Sequence, residues 1–186
     1  MKTTFRELIE DCIAAFHFIR DHAAEWNLDP NRIVFTGESA GGHLATITAY
    51  KLNSTAIKGV FNIYGPTELE YFRFSLPSTF DRRLFKDSIA LGFGGKDKVT
   101  VEALRDFSAS TYIHMGSPPT LSVHPEADTL VNVKTSEKLH EVLTSKGVPN
   151  LLVTIPTYSH ACDLFYHSVC GQIERYVFER FLSIVF

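Results

Sequence analysis

At 186 residues the chain is sized for one domain that buries roughly 70% of the surface its unfolded form exposes, so no second core is needed. Apolar residues make up 45% of it and charged residues 21%, which excludes the disordered and fibrous classes. A net charge of -3 and a pI near 6.2, with no Lys or Arg run longer than two residues, provide no basic field for a phosphate backbone, so nucleic acid is not an expected partner.

Residues Met1 to Glu7 lack the apolar stretch and cleavage pattern of a secretory signal, and no segment holds 18 consecutive apolar residues. A cytoplasmic chain without a membrane span is expected. Thr4-x-x-Glu7 reads as a capping box. Phe5, Leu8, Ile9, Cys12, Ile13, Phe16 and Ile19 follow at helical spacing and predict an amphipathic helix over about 4 to 26. Asn27-Leu28-Asp29-Pro30-Asn31 is turn chemistry, and a strand is expected over about 32 to 37. A helix then runs from Ser39 to about Leu52, and Ile57 to Tyr64, apolar except for Lys58, Gly59 and Asn62, suits a buried strand that Gly65-Pro66 ends.

From about 67 to 115 the pattern is irregular and rich in aromatics: Tyr71, Phe72, Phe74, Phe80, Phe85 and Phe93. It reads as a cap-like insertion over the sheet edge, its aromatics equally suited to lining a pocket or to forming satellite core. Pro119 to His124 is a third strand, Val133 to Lys146 a helix closed by Gly147, and Asn150 to Ile155 a fourth strand. A last helix starts near Leu164 or Val169 and places Ile173, Tyr176, Val177 and Phe181 at core spacing. Strands alternating with helices, and apolar on both faces, predict an α/β fold with a mainly parallel sheet of about four strands and right-handed crossovers.

Residues 37 to 41 read Gly-Glu-Ser-Ala-Gly between the first strand and its helix. That is the setting of a nucleophile elbow, in which Gly37 and Gly41 flank a serine because a strained turn leaves no room for Cβ atoms. Ser39 is the candidate nucleophile. A serine hydroxyl needs a general base, and the base needs an orienting acid. Reactive groups of such sheets gather where strands end, and there stand His124-Pro125-Glu126-Ala127-Asp128 after the third strand and Tyr158-Ser159-His160 after the fourth. Asp128 is the candidate acid and His160 the candidate base. Glu126 and Asp163 compete for the acid role, though Asp163 reads better as the cap of the last helix. His43 reads as packing and His124 as a brace for the acid loop; Glu38 reads as bonded to a neighbouring loop.

Cys12, Cys162 and Cys170 are odd in number, widely spaced and without a C-x-x-C pair, so buried free thiols are expected. The eight histidines show no H-x-x-x-H or H-E-x-x-H grouping. Neither a metal nor a cofactor is expected.

The stretches Leu28-Asp29-Pro30-Asn31-Arg32-Ile33 and Gly37-Glu38-Ser39-Ala40-Gly41-Gly42-His43-Leu44-Ala45 resemble the nucleophile region of the hormone-sensitive-lipase-like and acetyl-xylan or feruloyl esterase-like α/β-hydrolases. Tyr64-Gly65-Pro66-Thr67-Glu68-Leu69, Ser117 to Leu121, Asp128 to Val131 and Ser136 to Leu139 resemble later segments of the latter group. The resemblance implies a serine carboxylesterase with Ser39 as nucleophile, Asp128 as acid, His160 as base and the Ala40 amide as an oxyanion donor. Its substrate would be a small-molecule ester, with acetylated or feruloylated sugars suggested by the resemblance, and a short acyl chain is expected because nothing in the sequence indicates a long apolar tunnel. Amide or peptide hydrolysis, and a non-catalytic remnant acting as an interaction module, are the alternatives.

Three departures accompany the likeness: Pro125 replaces a usual glycine, Ala161-Cys162 follows the base, and the family's upstream His-Gly-Gly segment and first four strands have no counterpart. The fold expected is thus a truncated α/β-hydrolase. Tyr64, Tyr158 or a partner chain would have to complete the oxyanion hole. The nucleophile strand would be an unpaired edge, so a homo-oligomer through that edge or the first helix is expected.

Overall fold

Parallel strands cannot be joined by a hairpin, so each must be reached by a crossover. The structure, a computed structural model, describes residues 3–69, 87 and 89–186. Its sheet has four parallel strands, each beside its neighbour in the chain: β1 (Ile33–Glu38), β2 (Ile57–Ile63), β3 (Thr120–Pro125) and β4 (Asn150–Ile155). The crossovers carry α2 (Ala40–Leu52), then α3 (Val101–Asp106), then α4 (Lys134–Ser145). Before and after them stand α1 (Phe5–Asp21) and α5 (Val169–Val185).

Helices cover both faces, which is why β2 and β3 are buried almost throughout, the polar Asn62, Thr120, Ser122 and His124 included. On one face Ile9 and Phe16 of α1, Ile47 and Tyr50 of α2 and Leu139 of α4 pack with Ile57 and Val60. On the other, Phe61, Ile63, Leu121 and Val123 meet Cys170 and Phe181 of α5. A Cβ on Gly59 would lie 2.5 Å from the Phe181 ring, so this glycine lets α5 press directly on β2.

The capping box of α1 is present: Thr4 Oγ1 accepts from the Glu7 amide at 3.3 Å, and Glu7 Oε2 accepts from the Thr4 amide at 2.6 Å. This helix ends at Asp21, five residues before the expected stop. The residues Ala23, Ala24 and Glu25 favour helix and hid the end. There His22 turns its ring onto the Phe18 carbonyl at 2.8 Å and stacks between Phe18 and Trp26, while Asn27 takes φ 54°. At the other end of the chain α5 takes the later of its two expected starts, because Ser168 Oγ accepts from the Gly171 amide at 3.0 Å.

Of the aromatics in the irregular stretch, Tyr71, Phe72, Phe74, Phe80 and Phe85 lie outside the described residues. Phe93 packs edge-on against Phe5 and Phe107, at 5.2 Å in each case. The described flanks of the stretch are knitted to the body: the Ala109 amide donates to the Thr67 carbonyl at 2.8 Å, and the Glu68 carboxylate accepts from the Ser110 hydroxyl at 2.6 Å.

His43, in the second turn of α2, is fully buried, and burial pushes its imidazole down to about 4 against the opposing pull of the Pro66 carbonyl. A neutral folded histidine binds fewer protons than an unfolded one between about pH 4 and 6.5, so its contribution to stability is present above 6.5 and is lost as pH falls toward 4. Unfolding free energies from urea titrations at pH 7 and 4.5 should differ by about 2 to 3 kcal/mol more in wild type than in His43→Leu. Equal differences would remove His43 from the acid sensitivity.

Candidate active site

Ser39 sits between β1 and α2 at φ 52°, ψ -120°, a conformation that L-residues avoid and that costs of order 1–3 kcal/mol. The turn is over-determined. The Ser39 amide donates to the Ile63 carbonyl at 2.9 Å, and β1 and α2 approach so closely that a Cβ on Gly37 would stand 2.4 Å from the Gly41 carbonyl carbon. The second close approach is at Gly42, whose Cβ would lie 2.7 Å from Asn62 Oδ1 and 2.9 Å from the Gly37 oxygen. Gly41, expected to be sterically required, has open space around it. Of the two glycines that follow Ala40, packing therefore requires Gly42 and leaves Gly41 free.

The strand ends bring Ser39, Asp128 and His160 together. His160 Nε2 is 2.9 Å from Ser39 Oγ, and His160 Nδ1 is 2.7 Å from Asp128 Oδ2. Asp128 Oδ1 accepts from the Leu130 and Val131 amides, both at 2.8 Å, which fixes the second oxygen toward the imidazole. Burial pushes the Asp128 carboxyl up. Hydrogen bonds from His124, His160 and the Val131 amide outweigh that burial and hold it well below the usual carboxylate range. An ionised Asp128 keeps the proton on Nδ1, leaving Nε2 free to accept from the Ser39 hydroxyl.

The competing carboxylates lie elsewhere. Glu126 Oε1 accepts from Thr154 Oγ1 at 2.7 Å, on β4. Asp163 does not cap the last helix, a place taken by Ser168; its Oδ1 accepts from the Tyr64 hydroxyl at 2.6 Å. His124 is fully buried: Nε2 donates to the Val131 carbonyl at 2.8 Å and lies 3.5 Å from Asp128 Oδ2, while Nδ1 accepts from Ser136 Oγ at 2.8 Å. Glu38 is exposed, with one oxygen 3.4 Å from the Tyr64 hydroxyl. Ala40 opens α2, where first-turn amides have no partner inside the helix.

Two cysteines overturn the expectation of free thiols. Cys162 and Cys170 form a disulfide, with Cα atoms 5.7 Å apart, and only Cys12 is free. Their spacing of eight residues carried no signal, because it is the fold that turns the chain after His160 back onto the start of α5. The Ser168 hydroxyl closes the same loop by donating to the Cys162 carbonyl at 2.9 Å.

Sequence reasoning also missed a group of acids. Ligand oxygens of Glu38, Asp163 and Glu174 lie within 4.8 Å of one another, close enough to hold a cation. Burial, then the charges of Asp163 and Glu38, push the Glu174 carboxyl up to about 8, so it is neutral at pH 7. Glu38 stands more than a hundred positions before the other two, and the docking of α5 on the sheet joins them.

Residues 1–143 match the BD-FAE family. The esterase LipQ of Mycobacterium tuberculosis is 24% identical over 200 residues, covering 100% of this chain and 45% of LipQ. This chain thus spans less than half the length of that curated relative. Among solved structures, the esterase Est2 of Thermogutta terrifontis superposes with a TM-score of 0.74 at 22% identity, over 98% of this chain and 65% of Est2. The acetyl ester-xyloside bifunctional hydrolase of Caldicellulosiruptor lactoaceticus does so with a TM-score of 0.71 at 20% identity, over 92% of this chain and 65% of its own. A parallel sheet with a strained serine at a strand-to-helix turn, the extent of the family match and these superpositions agree: the chain belongs to the BD-FAE family and has the α/β-hydrolase fold.

Proposed function

We propose that the chain is a serine carboxylesterase acting on short-chain acyl esters of small molecules. The observation that carries this reading is the continuous hydrogen-bonded line from Ser39 Oγ through His160 to Asp128. His160 Nε2 takes the hydroxyl proton as Ser39 attacks the ester carbonyl, and Asp128 stabilises the imidazolium. The Ala40 amide, at the positive end of α2, holds the developing oxyanion. His160 then hands its proton to the departing alkoxide, and a water activated by the same base releases the acyl group. No cofactor enters the proposal.

Nitrophenyl acetate hydrolysis measured beside Ser39 labelling by a fluorophosphonate tests it. Turnover and a stoichiometric Ser39 adduct are expected. A folded protein that forms no adduct sinks both this reading and amide or peptide hydrolysis, leaving a non-catalytic interaction module. Turnover of a nitroanilide exceeding that of the matched ester would move the activity to amides. With one amide assigned to the oxyanion, the rate is expected to be low, since a missing donor slows acyl transfer by about 10² to 10³.

Self-association and location belong to the same proposal. β1 is an edge strand among the described residues, with one row of backbone groups unpaired, and α1 leaves Phe18 and Ile19 exposed. Light scattering at micromolar concentration should give a mass above 20.9 kDa; a monodisperse monomer rejects the oligomer. No helix among the described residues is long and apolar enough to cross a membrane. A cytoplasmic location requires Cys162 and Cys170 to be thiols there. Alkylation in freshly lysed cells should trap three thiols if that location holds, and one if it does not.

A further inference from the structure

We propose that Tyr64 is a positioning residue for His160: its ring edge steadies the imidazole, and its hydroxyl, bonded to Asp163, holds the loop on which the imidazole rides. The inference deepens the esterase reading, since it assigns what keeps the general base in place.

The backbone of Tyr64 is the first sign. It follows β2 directly at φ 37°, a left-handed conformation that a bulky aromatic avoids, and it is almost wholly buried. The surroundings enforce it. The Tyr64 amide extends the sheet by donating to the Val123 carbonyl at 2.8 Å, and the next amide, of Gly65, donates to Asn62 Oδ1 at 3.2 Å. Gly65 itself is pressed so close that a Cβ there would meet Asn62 Oδ1 at 2.4 Å. Conserving strain at a single residue where β2 meets the site needs a return elsewhere, and the contacts of the side chain supply one.

The ring centroid lies 4.7 Å from that of His160 with the planes at 63°, the favourable edge-on arrangement of two aromatic rings. The hydroxyl donates to Asp163 Oδ1 at 2.6 Å, three residues past His160. Burial, then the neighbouring carboxylates, hold the phenol protonated, so it remains a donor throughout the working pH range.

The loop has little else of its own. Between 156 and 168 it makes two internal backbone hydrogen bonds, from the Leu164 amide to Ala161 and from the Ser168 amide to Phe165, and it passes through positive φ at Thr157 and Ala161. The Cys162–Cys170 disulfide and the Ser168 hydroxyl tie it to α5. The Ala127 amide ties it to the acid loop by donating to the Tyr158 carbonyl at 3.0 Å, and Tyr64 ties it to the end of β2, between the nucleophile and the acid. Tyr64 touches the base itself and, through Asp163, the segment that follows.

The test uses Tyr64→Phe, which keeps the ring edge and removes the hydroxyl bond, with Asp163→Ala, Asp163→Asn and the double variant Tyr64→Phe/Asp163→Ala. For each, kcat and KM for nitrophenyl acetate are measured across pH, and the low-field imidazole N–H proton bridging His160 and Asp128 is followed by NMR. Tyr64→Phe is expected to lower kcat about 3- to 10-fold with KM within about 2-fold, and to shift and broaden the low-field proton. Asp163→Ala should reproduce both effects, Asp163→Asn should recover part of them through its amide oxygen, and the double variant should lose no more than either single one.

Wild-type kcat and an unmoved low-field proton in a folded Tyr64→Phe would overturn the proposal, as would losses that multiply in the double variant. The NMR arm needs no turnover. If wild type fails to hydrolyse esters the functional reading falls, while the imidazole signal still decides whether Tyr64 positions His160.

Discussion

Ser39→Ala is expected to lower kcat/KM for nitrophenyl acetate by about 10⁴-fold or more, with a melting temperature close to that of wild type, because the serine makes no side-chain cap for α2 and its removal should cost the fold little. Asp128→Asn should give a loss of similar order for a different reason. The asparagine carbonyl can still accept from the Leu130 and Val131 amides, so the loop keeps its shape, but the amide NH₂ then faces His160 Nδ1. That forces the imidazole proton onto Nε2, where it points at Ser39 and cannot be exchanged for the hydroxyl proton. The two losses should not multiply in the double variant, since both remove one shared step. A drop under about 10-fold in Ser39→Ala would remove the serine from the reaction altogether.

Three glycines around the elbow give the second large effect, read as stability. Gly37→Ala should destabilise by more than about 4 kcal/mol, since the added methyl has backbone on its far side at 2.4 Å and nowhere to rotate. Gly42→Ala should be nearly as severe, its methyl driven against Asn62 and two carbonyl oxygens. By contrast Gly41→Ala should be neutral or stabilising by up to about 1 kcal/mol, because it meets open space and replaces glycine within a helix. Chemical denaturation of the three variants checks the order. Equal destabilisation at Gly41 and Gly42 would contradict the packing described for the elbow.

The contrast between Gly41 and Gly42 marks where the residues stop speaking for themselves. The pentapeptide, its strand and its helix were legible because each is local: an apolar run, a turn that demands positive φ, and a helix start within about fifteen residues. The four strands and four of the helices were legible for the same reason, through period and punctuation. Asp128 and His160 could be chosen because sheets of this kind collect reactive groups at one rim, so position after a strand narrows the field.

What could not be read depends on how α5 lies against the sheet. Cys170, Glu174 and Phe181 sit on one helix, and their partners are Cys162, the pair Glu38 and Asp163, and Gly59. No spacing rule links such positions. Asp163 was misassigned as a cap because it stands at the right distance before a helix, and Ser168, closer in, took that place. The early stop of α1 is local instead: propensity favours its continuation, yet the chain leaves the helix where the His22 ring lies on the Phe18 carbonyl.

The sheet order carries a mechanical consequence. Because β1 to β4 lie side by side in chain order, the serine leaves one rim strand and the histidine leaves the opposite one, about 14 Å away at the usual spacing between neighbours. The acid, departing from β3, has only a short step to make. The imidazole must instead be carried across three strand widths on a cantilever of irregular chain, anchored at its far end to α5. Precision at the tip of such an arm is set by its stays, so substitutions that slacken them should blunt turnover while leaving the body of the protein as firm as before.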